Sequence, residues 1–198
     1  MDPELETGMT PQASRCHSGP VQDQASTDAP ARRRVAVMRH GKAEQAGRTD
    51  FERELAERGR VDSADTGSWL ADQGFVPDLA LVSAARRTIG TWESVAAGGG
   101  FDVEPRLSQV LYGAGPETCL DLVHELPADA TSVIVVGHNP TMAYLASLLD
   151  DGEGDPAVSS EMMSGYPTSA VALFEYDGEW ADLAEAGARL VAYHVGRG

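Results

Sequence analysis

Val35-Ala36-Val37-Met38-Arg39-His40-Gly41-Lys42-Ala43-Glu44 is the stretch that decides how this chain is read. A short apolar run bounded by turn residues reads as a buried strand. Here the run delivers Arg39, His40 and Gly41 to the strand's carboxyl end. A histidine that works on phosphorus needs one ring nitrogen bare and the other held as a donor, so that tautomer and direction are both fixed. Arg39 supplies positive charge beside it, and Gly41 lets backbone approach closely. Taken alone, the tripeptide fits a buried strand that ends in a polar turn just as well, because short motifs match by chance.

A second stretch breaks the tie. Val133-Ile-Val-Val136 is another apolar strand, running straight into Gly137-His138-Asn139-Pro140, with Thr141 to Leu149 following at helical spacing. In an open α/β sheet the ligand crevice lies outside the carboxyl ends of the strands, so adjacent strands bring His40 and His138 to one pocket. Between them in sequence, Leu79 to Ser83 is a third strand leading into a helix that opens on Arg86 and Arg87. Helix N-termini and guanidinium forks both favour phosphate. Three such junctions bearing His and Arg on one chain argue for a site rather than for packing.

From residue 33 onward strands and helices alternate, which predicts an α/β three-layer sandwich, a mostly parallel central sheet with helices on both faces. The expected strands are Arg33 to Met38, Leu79 to Val82, a short one near Val103, Ser132 to Val136, Ser169 to Tyr176 and Arg189 to Val195. The last two are expected to return on each other at Asp177-Gly178, a hairpin-like turn. Helices are expected to end near Asp72-Gln73-Gly74 and to run over Arg86–Ala97, stopping at Gly98-Gly99-Gly100, and then over Pro116–Glu125 and Thr141–Leu149. The acidic, turn-rich segment Asp150 to Pro156 reads as a mobile loop without the spacing of a calcium site. His124 and His194 read as ordinary, partly buried histidines, and Leu111-Tyr112 as a candidate apolar wall of the pocket.

The chain has 198 residues, 42% of them hydrophobic, sufficient for one domain with a real core plus a tail. Residues 1–32 are poor in large apolar side chains and read as a disordered tail without the apolar core of a secretory signal, leaving 33–198 as the catalytic domain. The formal net charge of −16 argues against nucleic acid or an anionic membrane as partner. No stretch approaches the roughly 20 consecutive apolar residues of a spanning helix. Two cysteines, Cys16 and Cys119, make no disulfide framework, and a reducing cytoplasm is the expected location. Cys16-His17, without further ligands nearby, reads as coincidence rather than as a metal site, and Arg32-Arg33-Arg34 as a solvated flank.

The chain resembles the histidine phosphatase superfamily, with its phosphoglycerate mutase-like fold, and within it the small single-domain SixA-type phosphohistidine phosphatases. The residues that carry the resemblance are Arg39-His40-Gly41-Lys42-Ala43-Glu44, Arg53-Glu54-Leu55-Ala56-Glu57-Arg58-Gly59, Pro77-Asp78 through Val82-Ser83-Ala84-Ala85-Arg86-Arg87, Leu111-Tyr112, and Val136-Gly137-His138-Asn139-Pro140. It implies that His40 is the nucleophile that becomes phosphorylated, with Arg39, Arg87 and His138 as its phosphate-binding partners. Arg87 is selected over Arg86 because the family arginine falls four places after Ser83. Backbone amides of Gly41 and Asn139 would add donors. The pattern departs at Ala84, where the family has proline, at Gly90, where it has glutamine, and at Ala56, where it has a threonine that starts a helix. Ala56 cannot cap that helix, a loss of about 1 kcal/mol, and a shifted or frayed start is expected.

The implied reaction is a two-step displacement needing neither metal nor cofactor: His40 takes the phosphoryl group and water then releases it. A proton donor for the leaving group is not evident. Glu104 lies on the short path from Phe101 to Leu111, and Glu44 and Glu117 are minor candidates. An imidazole leaving group needs less help than an alkoxide, which favours a phosphorylated protein (phosphohistidine) as substrate. A phosphatase of small phosphorylated metabolites and a non-catalytic phosphate-binding module are the alternatives.

Overall fold

The computed structural model describes residues 32–198. Six strands form one sheet in the order β3-β2-β4-β1-β5-β6. They are β1 (Arg32–Arg39), β2 (Leu79–Ser83), β3 (Pro105–Ser108), β4 (Ser132–Gly137), β5 (Ala170–Asp177) and β6 (Arg189–Val195). β3, β2, β4 and β1 run parallel to their neighbours, while β5 pairs antiparallel with β1 and β6 antiparallel with β5. The helices are α1 (Glu57–Asp72), α2 (Arg86–Gly99), α3 (Pro116–His124), α4 (Thr141–Leu149) and α5 (Pro156–Ser164).

Successive strand residues point to opposite faces, and the core divides accordingly. Val35 and Val37 of β1, with Val133 and Val135 of β4, pack with Leu120 and Val123 of α3 and Leu145 and Leu149 of α4. Ala36, Met38, Ile134 and Val136 face the other way, onto Leu70 of α1 and Trp92 and Val95 of α2. Strands buried on both faces read as unbroken apolar runs, which is why β1 and β4 were legible as such. The result is the expected α/β three-layer sandwich.

Several boundaries differ from expectation for physical reasons. Arg32, assigned to the tail from sequence, is the first residue of β1 and pairs with Asp177; the rest of that tail, Cys16-His17 included, lies outside the described residues. α2 runs through Gly98 and Gly99 and stops at Gly100, whose φ of 68° is the left-handed conformation that closes a helix. The third strand begins at Pro105 rather than near Val103. β5 and β6 do not meet at a tight Asp177-Gly178 turn: the chain first makes a 3-10 turn at Trp180–Asp182 that buries Trp180. α1 begins at Glu57, directly after Ala56 and without a capping side chain. The Ala56 N–H donates to the Lys42 carbonyl at 2.8 Å and the Ala56 carbonyl accepts from Arg60 at 3.0 Å, so the helix start stays in place.

The acidic loop is tied rather than loose. Asp150 and Asp151 accept the backbone N–H groups of Gly152 and Glu153, Asp151 N–H reaches the Ala188 carbonyl at 3.0 Å, and Asp155 caps α5, a helix that sequence reading did not anticipate.

Candidate active site

Register sets the site. Arg39 pairs with Gly137 across the parallel β1/β4 ladder, so the next residue of each strand is a histidine at the same edge of the sheet. The His40 N–H donates to the Gly137 carbonyl at 3.0 Å, and the two imidazole centroids lie 5.1 Å apart. Arg87 arrives from the first turn of α2, just beyond the end of β2. The structure thus brings Arg39, His40, Arg87 and His138 to the carboxyl ends of three parallel strands, where ligand crevices of such sheets lie.

Hydrogen bonds fix the two tautomers differently. His40 Nδ1 lies 2.7 Å from the Gly41 carbonyl, which only accepts, so Nδ1 carries the proton and Nε2 is bare. That bare nitrogen receives the Nε–H of Arg87 at 3.3 Å. His138 faces the same arginine with Nδ1, 3.2 Å from Arg87 Nη2, and its Nε2–H lies 2.8 Å from Ser83 Oγ. Burial lowers the pKa of His40 to about 4, with the nearby arginines adding to the effect. Burial again, reinforced by His40 and Arg87, lowers that of His138 to about 3. Both rings are therefore neutral at physiological pH.

Arg39 is held by the Tyr166 carbonyl, which accepts from Arg39 Nη1 at 2.9 Å and from Asn139 Nδ2 at 2.7 Å. Tyr166 is itself pinned by its hydroxyl, which donates to the Val37 carbonyl at 2.6 Å. Among the described residues Arg39 has no carboxylate partner, its Nε is buried without a hydrogen bond, and burial lowers its pKa. A partly desolvated cation without a neutralising carboxylate favours an anion beside it.

Some sequence expectations change here. The Gly41 N–H, offered from sequence to a phosphate, donates inward to Thr91 Oγ1 at 2.9 Å. Gly41 instead lets α1 come close: a Cβ there would lie 2.6 Å from Ser63 Oγ and 2.8 Å from the Gly59 carbonyl. Glu104 precedes β3 and so lies at the opposite end of that strand from the site. The Glu44 and Glu117 side chains make no hydrogen bond within the cluster. Leu111 is core, but Tyr112 stands at the pocket, its ring edge-on to His138 at 5.4 Å. His124 bonds the Leu183 carbonyl and His194 bonds Asp65, both away from the site. Asp50 is the residue that sequence reading missed: its carboxylate accepts from Arg87 Nη2 and from the Tyr112 hydroxyl, each at 2.9 Å.

Among the described residues no group of three or more His, Cys, Asp or Glu is arranged to hold a metal ion, and no helix is long and apolar enough to cross a membrane.

No family model matches the chain. An uncharacterized protein of Mycobacterium tuberculosis is 36% identical over 162 residues, spanning 81% of this chain and all of the relative. Among solved structures, a protein of Nakamurella multipartitia assigned as the phosphohistidine phosphatase SixA superposes with a TM-score of 0.75 at 30% identity, covering 86% of this chain and 100% of its own. A second, from Agrobacterium tumefaciens and assigned likewise, gives 0.67 at 29% identity, covering 82% of this chain and 97% of its own. The fold and these relatives together define a phosphatase-class protein. The chain belongs to the histidine phosphatase superfamily, on its SixA-like branch.

Proposed function

We propose that the protein is a metal-independent phosphohistidine phosphatase that acts on phosphorylated proteins through a phosphohistidine intermediate on His40. The observation that carries this reading is the His40 tautomer: with Nδ1–H on the Gly41 carbonyl, Nε2 carries the lone pair and accepts the Arg87 Nε–H at 3.3 Å, a donor that an incoming phosphoryl oxygen can take over as Nε2 attacks. In the first step Nε2 attacks phosphorus, the bond to the leaving imidazole nitrogen breaks, and that nitrogen takes up a proton from water. In the second, water attacks the phosphohistidine, the P–Nε2 bond breaks, orthophosphate leaves with the water's oxygen, the water's proton passes to solvent, and His40 returns to its neutral form. Arg39 and Arg87 offset charge on the transferring oxygens, the larger part of the work in phosphoryl transfer. His138 adds a donor once a phosphoryl oxygen displaces one of its present partners, and Asn139 fixes the turn beside it. The composition favours a cytoplasmic setting.

The test is hydrolysis, with EDTA present, of a phosphohistidine-bearing protein beside a panel of phosphate monoesters, using His40→Ala as control. The expected result is His40-dependent turnover of phosphohistidine well above that of the monoesters. Turnover mainly of monoesters would shift the reading to small phosphorylated metabolites. No His40-dependent turnover of any substrate would leave a phosphate-binding module.

A further inference from the structure

We propose that Asp50 is a positioning residue for the phosphoryl site, holding the Arg87 guanidinium in the orientation that faces His40. The inference rests on the reading of the His40 cluster just given, and it concerns a residue from the irregular loop between β1 and α1.

Asp50 grips Arg87 twice. Its backbone carbonyl accepts from Nη1 at 2.6 Å and its carboxylate Oδ2 from Nη2 at 2.9 Å. A planar guanidinium held at both outer nitrogens cannot pivot about its stem, so Nε–H points where the plane sends it, to His40 Nε2 at 3.3 Å. The carboxylate is anchored in turn, Oδ1 accepting from Arg53 Nη1 at 2.9 Å and Oδ2 from the Tyr112 hydroxyl at 2.9 Å. The Arg53 and Tyr112 hydrogen bonds lower the pKa of Asp50 to about 2, so the anchor stays charged across the working range. Tyr112 meets Phe51 edge-on at 5.0 Å, and Arg87 lies over its ring at 5.8 Å. One carboxylate therefore ties together the β1–α1 loop, the start of α2 and the turn after β3.

Two effects of this carboxylate on an incoming phosphoryl group oppose each other. Its charge repels the group, and its grip places the arginine that binds the group. The Asp50 side chain is 53% exposed while that of Arg87 is 7% exposed, so water screens the repulsion far more than it weakens the placement. Displacing a charged donor by about 1 Å costs up to about a hundredfold, and the placement dominates.

The test is a double-mutant cycle on the full chain, reading the affinity for orthovanadate by calorimetry in wild type, Asp50→Asn, Arg87→Ala and the double variant. Asp50→Asn is near-isosteric, and the side chain sits in an exposed loop, so folding is expected to survive; thermal melts check it. Asp50→Asn is expected to weaken vanadate about tenfold where Arg87 is present and by less than about twofold in the Arg87→Ala background. Equal factors in the two backgrounds, or tighter binding in Asp50→Asn, would overturn the role. The readout needs no turnover. Intact coupling in a protein without His40-dependent hydrolysis would sink the phosphatase reading alone, and uncoupled binding in an active enzyme would sink the Asp50 role alone.

Discussion

The turns that end β1 and β4 occupy equivalent positions on neighbouring strands, and each presents a histidine to the same arginine. They differ in what holds the ring's other nitrogen. The His40 ring is held by the carbonyl of the next residue, an acceptor that cannot move independently of the turn. The His138 ring is held by Ser83 Oγ, a rotatable hydroxyl on β2 that both donates and accepts. Both tautomers are fixed, His40's by a carbonyl and His138's by Arg87, but the Ser83 hydroxyl can rotate away and leave the His138 Nε2–H free to meet another acceptor, which a carbonyl bound to the turn cannot do. Two residues of one type in one environment thus receive different roles from their acceptors, not from their burial or their pKa.

Substitutions should separate the two turns. His40→Ala removes the proposed nucleophile and should lower kcat/KM for any substrate by about a thousandfold or more, with no phosphorylated protein recovered after acid-free quenching. His138→Ala removes a donor rather than the attacking atom, so about a hundredfold is expected, with the phosphoenzyme still formed; equal losses at both positions would erase the distinction. Ser83→Ala should cost only several-fold, about 1 kcal/mol in the barrier, because a neutral hydrogen bond of this kind contributes that much.

A smaller effect treats the two rings alike. Both titrate below 6.5 when folded. Between 6.5 and about 4 for His40, and about 3 for His138, the unfolded chain binds protons that the folded chain refuses, so stability fully present above that window is lost as pH falls through it. The urea midpoint should therefore fall across this range, and the slope should flatten in a His40→Gln, His138→Gln double variant.

The contrast also shows where sequence was informative. β1 and β4 announce themselves because strands buried on both faces must be apolar throughout, and a histidine directly after such a run has one place to be. Arg87 was found through the helix that follows β2, with the resemblance deciding it over Arg86. Asp50 was not legible: it lies in a polar loop without periodicity, and its meaning comes from Arg87 and Tyr112, 37 and 62 positions later in the chain, converging on it. Helix α5 was missed because Pro156 to Ser164 carries few large apolar residues, with Met162 its only fully buried side chain. The hairpin reading failed because the turn signal at Asp177-Gly178 was real, but burying Trp180 drew the chain into a further excursion.

The contact of Gly41 with Gly59 reaches past this molecule to how its relatives are judged. A Cβ on Gly59 would collide with the Lys42 carbonyl and come within 2.7 Å of the Lys42 nitrogen, pushing on the loop that carries His40. A natural variant with alanine there would retain Arg39, His40, Arg87 and His138 and pass any roll-call of active-site letters, yet the turn carrying its histidine would have to shift. Surveys that sort living from silent copies by those four letters should score this fifth one as well.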